Sequence, residues 1–520
     1  MKYPEFYLFI QQKMEKHEKF IDHIQTGYTT KGDYLLMGAA MLDGIPYADA
    51  QVKIPLKTLN RHGLIAGATG TGKTKTLQIL AENLSEKGIP VLLMDIKGDL
   101  SGIAVPAEKN PKLEERHKKI GFDFTPSKSP VEILSLSKQE GVRLRATVSE
   151  FGPVLLSRIL DLSDTQTGVM GVIFQYCDHN HLPLLDLKDL KKILQYATGG
   201  GKEEFEKHYG RISTGSTGAI LRKIVNLEQQ GADLFFGEPS FDVQDLVRRS
   251  PDGKGFVNII RLDDIQDRPK LFSTFMLSLL AELYTTFPEK GDSDKPELII
   301  FIDEAHLIFK EASGALRDQI ESIVKLIRSK GIGIYFVTQN PTDVPKEILS
   351  QLGLKIQHSL RAFTANDRKA IKLTAENYPI SEFYDTKDVL TSLGIGEALI
   401  STLDEKGRPT PLAATMMRAP MSRMDILTQD EIKEIIKSSH LVTKYNKIID
   451  RESAYEILNQ KIDRAEKEDA QEKAKKEREV FKRSTSTRRT SRTAQNPVIK
   501  VLTSATFIRG VMSILNKTFK

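Results

Sequence analysis

The run Gly67-Ala68-Thr69-Gly70-Thr71-Gly72-Lys73-Thr74 constrains this chain more than any other stretch of it. An apolar lead-in, Leu64-Ile65-Ala66, precedes it, and a helical pattern carrying Leu77, Ile79, Leu80 and Leu84 follows. A strand that turns through glycines into a helix is the setting that a G-x-x-x-x-G-K-[ST] phosphate loop requires. Glycine lets the backbone close around an anion, so that successive N–H groups and the helix N-terminus converge on phosphate. In this reading Gly67, Ala68, Thr69, Gly70, Thr71 and Gly72 form the cradle, Lys73 reaches the β- and γ-phosphates, and the Thr74 hydroxyl ligates Mg2+. The chain is expected to bind a nucleoside triphosphate with Mg2+.

Binding is not hydrolysis, which needs a metal-holding acid and a group that activates water. Leu298-Ile299-Ile300-Phe301-Ile302 is the strongest strand in the sequence, and Asp303 and Glu304 close it. Asp303 at that position can hold Mg2+ through water, and Glu304 can polarise the attacking water. Gln339 ends the next apolar strand, where ligands of open parallel sheets sit, and its amide can bond the γ-phosphate or the lytic water. Arg328, between Lys325 and Lys330, has two readings: a solvated basic helix face, or an arginine offered to the phosphates of a neighbouring subunit.

The pattern around these motifs is that of a doubly wound α/β protein. Val91-Leu92-Leu93-Met94-Asp95 reads as a buried parallel strand, completing a βαβ unit with the phosphate loop. Strands at Phe256–Ile260, Leu298–Ile302, Gly333–Gln339 and Lys355–Leu360 alternate with helices near 270–287 and 316–329. The expected core is 58–107 with 250–420, carrying a mainly parallel sheet. Residues 108–249 read as an all-helical insertion, in which the stretch Ser213-Thr214-Gly215-Ser216-Thr217 either caps the helix that follows or touches a phosphate backbone, the cap being favoured. Residues 1–57 read as a small N-terminal unit, 421–481 as a charged helical region, 482–495 as a disordered basic linker and 496–520 as an amphipathic helix. That last segment suits docking on the chain's own core, on a neighbouring subunit or on an anionic surface.

Composition narrows the class. The single cysteine, Cys177, excludes an internal disulfide and fits a reducing compartment. No apolar core and cleavage site of a signal peptide stands at the N-terminus, and the longest apolar run, Leu271–Phe287, contains Glu282 and is too short for a bilayer. A cytoplasmic protein without integral membrane association is expected. Lys and Arg number 75 against 69 Asp and Glu, but nine of the bases and none of the acids fall in 482–520. The rest of the chain is slightly acidic, so the basic character is a property of the tail.

Three tempting patterns are set aside. Asp303-Glu304-Ala305-His306 spells a tetrad of another helicase superfamily, but no second motor domain follows residue 420. Cys177-Asp178-His179-Asn180-His181 has no second cluster at ligand spacing and reads as a loop. Gly199-Gly200-Gly201-Lys202 lacks a preceding strand and reads as a flexible loop.

Leu59-Asn60-Arg61-His62-Gly63-Leu64-Ile65 running into the phosphate loop, Ile302-Asp303-Glu304-Ala305-His306, and Val337-Thr338-Gln339-Asn340-Pro341 together resemble the HerA/FtsK group of P-loop ATPases. Val91 to Gly102, Gly215 to Glu238 and the Ser-rich basic tail resemble its YjgR-like branch. The resemblance implies a RecA-like P-loop core, a homo-hexamer with ATP sites between subunits, and translocation on double-stranded DNA. By position Lys73 and Thr74 match the Walker A pair, Asp303 and Glu304 the Walker B pair, and Gln339 the sensor. Arg61, twelve residues before Lys73, matches an arginine kept near the site, and Arg328 the place of a trans-acting arginine finger. A nuclease or other protein partner is part of the same expectation. The sequence thus supports a Mg2+-dependent DNA translocase or helicase, with an ATPase that remodels a protein partner without moving on DNA as the alternative.

Overall fold

A computed structural model describes residues 3–265, 268–291, 293–310, 314–449 and 451–486. Twelve strands form one sheet: β1 (Tyr34–Leu42), β2 (Ile45–Pro55), β3 (Gly63–Ala66), β4 (Val91–Asp95), β5 (Val131–Ser135), β6 (Val142–Arg143), β7 (Val257–Arg261), β8 (Leu298–Ile302), β9 (Ile332–Thr338), β10 (Leu354–Gln357), β11 (Glu397–Ser401) and β12 (Ala413–Met417). Their spatial order is β2-β1-β12-β11-β10-β3-β9-β8-β4-β7-β5-β6. From β10 to β6 all neighbours are parallel, whereas β11, β12, β1 and β2 add an antiparallel margin. The phosphate-loop strand β3 lies inside the parallel part, with β9 between it and β8.

Helices cover both faces, as the period-2 strand pattern demands. On one face the helices Tyr3–Gly27 and Lys73–Glu86 set Phe20, Ile24, Leu77 and Leu80 against Leu93, Ile259, Phe301 and Ile356. On the other, Phe275 and Leu279 of the helix Pro269–Thr286 line an apolar cavity with Leu92, Leu134 and Ile260. Strands buried on both faces read as unbroken apolar runs, which is why β4, β8 and β9 are visible in the sequence.

The structure departs from the sequence expectations in several places. The stretch read as an all-helical insertion contributes β5 and β6 to the sheet. Glu132 interrupts the apolar character of β5, yet it is buried because Arg248 meets it at 2.6 Å. The strands of the N-terminal unit are not separate either, since β1 pairs with β12 and so extends the main sheet. Finally, Cys177, Asp178 and His179 end the helix Asp164–His179 instead of lying in a loop. Of the stretch Ser213 to Thr217, Ser213 caps the helix Thr214–Glu228, accepting from Ser216 N at 3.0 Å.

Residues 3–456 belong to one compact unit, and a second begins at Ile457. The helix Ala454–Ser486 supplies the described part of that second unit, and it carries Lys482 to Ser486, the first residues of the expected disordered linker. The remainder of that linker and the expected amphipathic segment 496–520 lie outside the described residues.

Candidate nucleotide site

Parallel strands end on the same edge, and that edge is where the chemistry-bearing residues collect. The phosphate loop leaves β3, Asp303 and Glu304 leave β8, Gln339 leaves β9, Asp95 closes β4 and His358 follows β10. The loop turns through Gly67, Gly70 and Gly72 at φ 151°, 78° and 113°. At Gly67 the approach is as restrictive as the dihedral: a Cβ there would stand 2.5 Å from His358 Cβ. Gly72 precedes the helix Lys73–Glu86, so the first helical N–H groups open onto the loop.

Lys73 curls into its own loop, donating to Gly67 O at 2.6 Å and Ala68 O at 3.0 Å. Burial and the nearby Lys97 charge hold its amine below the usual range, against the pull of Glu304 and Asp303. The loop is strapped to β10 and β11: Ala68 N donates to Ser359 O, and Gly396 N to Thr71 O.

Asp303 and Glu304 are both buried, at 5% and 7% exposure. Burial raises the Asp303 carboxyl to about 6, with Lys97 pulling it the other way. Burial also pushes Glu304 upward, but the Lys97 ammonium, His306 and the neighbouring Gln339 amide outweigh it and hold Glu304 below the ordinary carboxylate range. Glu304 adopts φ 45°, a backbone region that non-glycine residues rarely occupy and that recurs where a side chain must be aimed. Ala305 N donates to Val337 O at 3.0 Å, tying the turn after β8 to β9 and so to Gln339.

Among the described residues no three His, Cys, Asp or Glu side chains gather as a metal cage. Mg2+ is commonly held by one or two protein oxygens together with substrate phosphates. One buried carboxylate, Asp303, and the Thr74 hydroxyl in the first turn after the loop make a donor set that fits such a shared cation.

The two arginines are not brought to this edge. Arg328 opens the turn Arg328–Lys330 that leads into β9, whereas Gln339 follows its far end. Seven strand residues at about 3.3 Å each separate the two by roughly 20 Å. Arg61 likewise precedes β3, its carbonyl accepting from Gly353 N at 2.8 Å. Both therefore stand at the starting ends of adjacent strands, and His62 between them feels the Arg328 charge.

Sequence reasoning passed over Lys97, Asp95 and His358 as site residues. Lys97 Nζ lies 2.7 Å from Glu304 Oε1 and 3.8 Å from Asp303 Oδ2. The available signal was the charged run Asp95-Ile96-Lys97-Gly98-Asp99 at the end of a buried parallel strand.

A family model described as "Helicase HerA-like C-terminal" matches residues 42–519. The DNA double-strand break repair helicase HerA of Sulfolobus acidocaldarius is 23% identical over 358 residues, covering 68% of this chain and 64% of that protein. The protein of the same description from Saccharolobus solfataricus is 24% identical over 377 residues, covering 71% and 67%. Thus the chain spans less than two thirds of the length of the first of these relatives. Among solved structures, the plasmid coupling protein TrwB in complex with a non-hydrolysable ATP analogue has a TM-score of 0.49 and 14% identity, over 77% of this chain and 99% of that one.

Proposed function

The chain belongs to the helicase HerA-like C-terminal family, and from that premise we propose that it is a Mg2+-dependent ATPase which assembles as a homo-hexameric ring and translocates on double-stranded DNA. The observation that carries the reading is the convergence of the phosphate loop, Asp303, Glu304 and Gln339 on one sheet edge, with Glu304 held ionised at φ 45°.

In this reading the loop amides and Lys73 take the β- and γ-phosphates, for which Lys73 must leave the carbonyls of Gly67 and Ala68. Thr74 and Asp303 hold the Mg2+ that offsets negative charge on the phosphate oxygens. Glu304 orients water in line with the γ-phosphate and accepts its proton. The Gln339 amide, beside Glu304 and helping to hold it ionised, senses the same group. Arg61 and Arg328, on the opposite edge, serve the phosphates of the adjoining subunit and make the ring the catalytic unit.

The test is steady-state ATP hydrolysis with and without linear double-stranded DNA at low and moderate salt, with Glu304→Gln as the binding-competent control. Several-fold stimulation by DNA that fades as salt rises is the expected result, because phosphate contacts release counterions. Hydrolysis indifferent to DNA at every salt concentration overturns translocation. It would favour the remodelling of a protein partner, a reading for which the slightly acidic character of residues 1–481 speaks.

A further inference from the structure

The turn after β4 is shaped to deliver one cation. Asp95 is 1% exposed, and its carboxylate accepts from the N–H groups of Gly98 at 2.7 Å, Asp99 at 3.2 Å and Leu100 at 3.1 Å. Residues 95–100 are thereby folded into a tight turn that passes Gly98 at φ 72°. Because β4 and β8 are parallel neighbours, this turn lies beside Asp303 and Glu304, and Lys97 reaches across to them.

Two adjacent carboxylates, each under a tenth exposed, repel one another and lose hydration, so a buried pair of this kind needs a compensating charge. Lys73 does not supply it at hydrogen-bond range, since its ammonium is spent on the loop carbonyls. His306 Nδ1 approaches only Glu304, at 3.2 Å from Oε2. Lys97 alone among the described residues forms an ion pair with both acids.

We propose that Lys97 is the resident counter-ion of the Asp303–Glu304 pair and a positioning residue for hydrolysis, yielding Asp303 to Mg2+ only when a nucleotide's phosphates bring the cation, while keeping Glu304 aimed. The proposal rests on the ATPase reading and adds to it a selection rule. A free divalent cation meets the Lys97 ammonium and is repelled, whereas the same cation carried by a triphosphate brings enough negative charge to offset that repulsion. The bond from Lys97 to Glu304, 2.7 Å against 3.8 Å to Asp303, is the one to be retained in the loaded site.

The experiment has two arms on the full chain. In the first, thermal melts are recorded against MgCl2 with no nucleotide present. Lys97→Met is expected to gain a Mg2+-dependent rise in Tm of a few degrees that the wild type lacks, because cation binding to the native state now adds stability. In the second, steady-state kinetics on Lys97→Met are expected to show kcat lower by about 10–100-fold, with KM for ATP within about 2-fold, as for residues that orient a ligand group from behind. Lys97→Arg restores both behaviours. Should Lys97→Met fail to fold, Lys97→Gln takes its place in the Mg2+ titration. The same Mg2+ response in variant and wild type overturns the proposal, whatever happens to kcat. A wild type that hydrolyses no ATP overturns the ATPase reading instead, and the melts then decide the role of Lys97 by themselves.

Discussion

The Thr76 hydroxyl lies 2.9 Å from His358 Nε2, joining the first turn of the phosphate-loop helix to the end of β10. On the other side of the ring, Nδ1 stands 2.9 Å from Glu397 O, a carbonyl that can only accept. In the neutral ring that burial favours, Nδ1 therefore carries the proton and Nε2 accepts from Thr76, beneath the loop.

Acid should weaken this link. Burial, then the nearby Lys73 charge, depress the His358 pKa to about 4, whereas an unfolded histidine titrates near about 6.5. Below about pH 6.5 the unfolded chain takes up a proton that the folded one refuses, so this stability is intact above that pH and is lost as pH falls toward 4, by up to about 1.4 kcal/mol per pH unit. His358→Gln is expected to be less stable near neutrality but to lose less on acidification. Urea melts from about pH 7.5 to about pH 5 compare the two slopes, and parallel slopes would refute the assignment.

Glu304→Gln keeps the shape of the side chain and removes its charge. ATP hydrolysis is expected to fall by about 10²–10⁴-fold, the range for loss of a general base. Binding of a fluorescent ATP analogue should survive, because Lys73 and the loop amides are untouched. Loss of binding together with hydrolysis would mean that the acidic edge is structural.

The far-edge placement of Arg328 predicts complementation. Arg328→Ala and Lys73→Ala should each be nearly inactive, since a trans arginine is worth about 10³-fold or more. Mixed in equal amounts and reassembled, they should recover roughly a quarter of wild-type activity, the fraction of interfaces that join an intact loop to an intact arginine in a randomly assembled ring. No recovery on mixing would place Arg328 outside the reaction or show that the subunits do not exchange.

Arg248 closes over Glu132 in β5, with Nη2 2.6 Å from Oε2 and the guanidinium 4.6 Å from the Phe256 ring. Arg248→Ala leaves a buried carboxylate without its partner and is expected to cost about 3 kcal/mol. Adding Glu132→Gln should return part of that loss, because a neutral amide is less costly to bury than an unpaired charge. Chemical denaturation of the wild type, the single variant and the double variant measures both effects.

Much of the site was legible because its signals are local. Eight consecutive residues specify the phosphate loop, and two acids at the end of an unbroken apolar strand specify the other half. Gln339 was legible for the same reason, as the polar residue that stops a buried run. β5 was not, because the partner that lets Glu132 be buried lies far along the chain. Lys97 was not, because its meaning comes from β4 and β8 being neighbours, a fact of strand order that no window of sequence contains.

The sequence by itself determined that a strand, a glycine loop and a helix would follow one another, and that a parallel α/β sheet would carry acids at its strand ends, since periodicity and turn chemistry act over a few residues. Only the tertiary structure decided which residues share an edge. Strand direction sent Arg61 and Arg328 to one end of the sheet and Lys73, Asp303, Glu304 and Gln339 to the other. Strand order set Lys97 against Glu304, and β1 against β12. Those pairings depend on which buried faces find each other across the whole chain, and that is settled by packing rather than by neighbours in sequence.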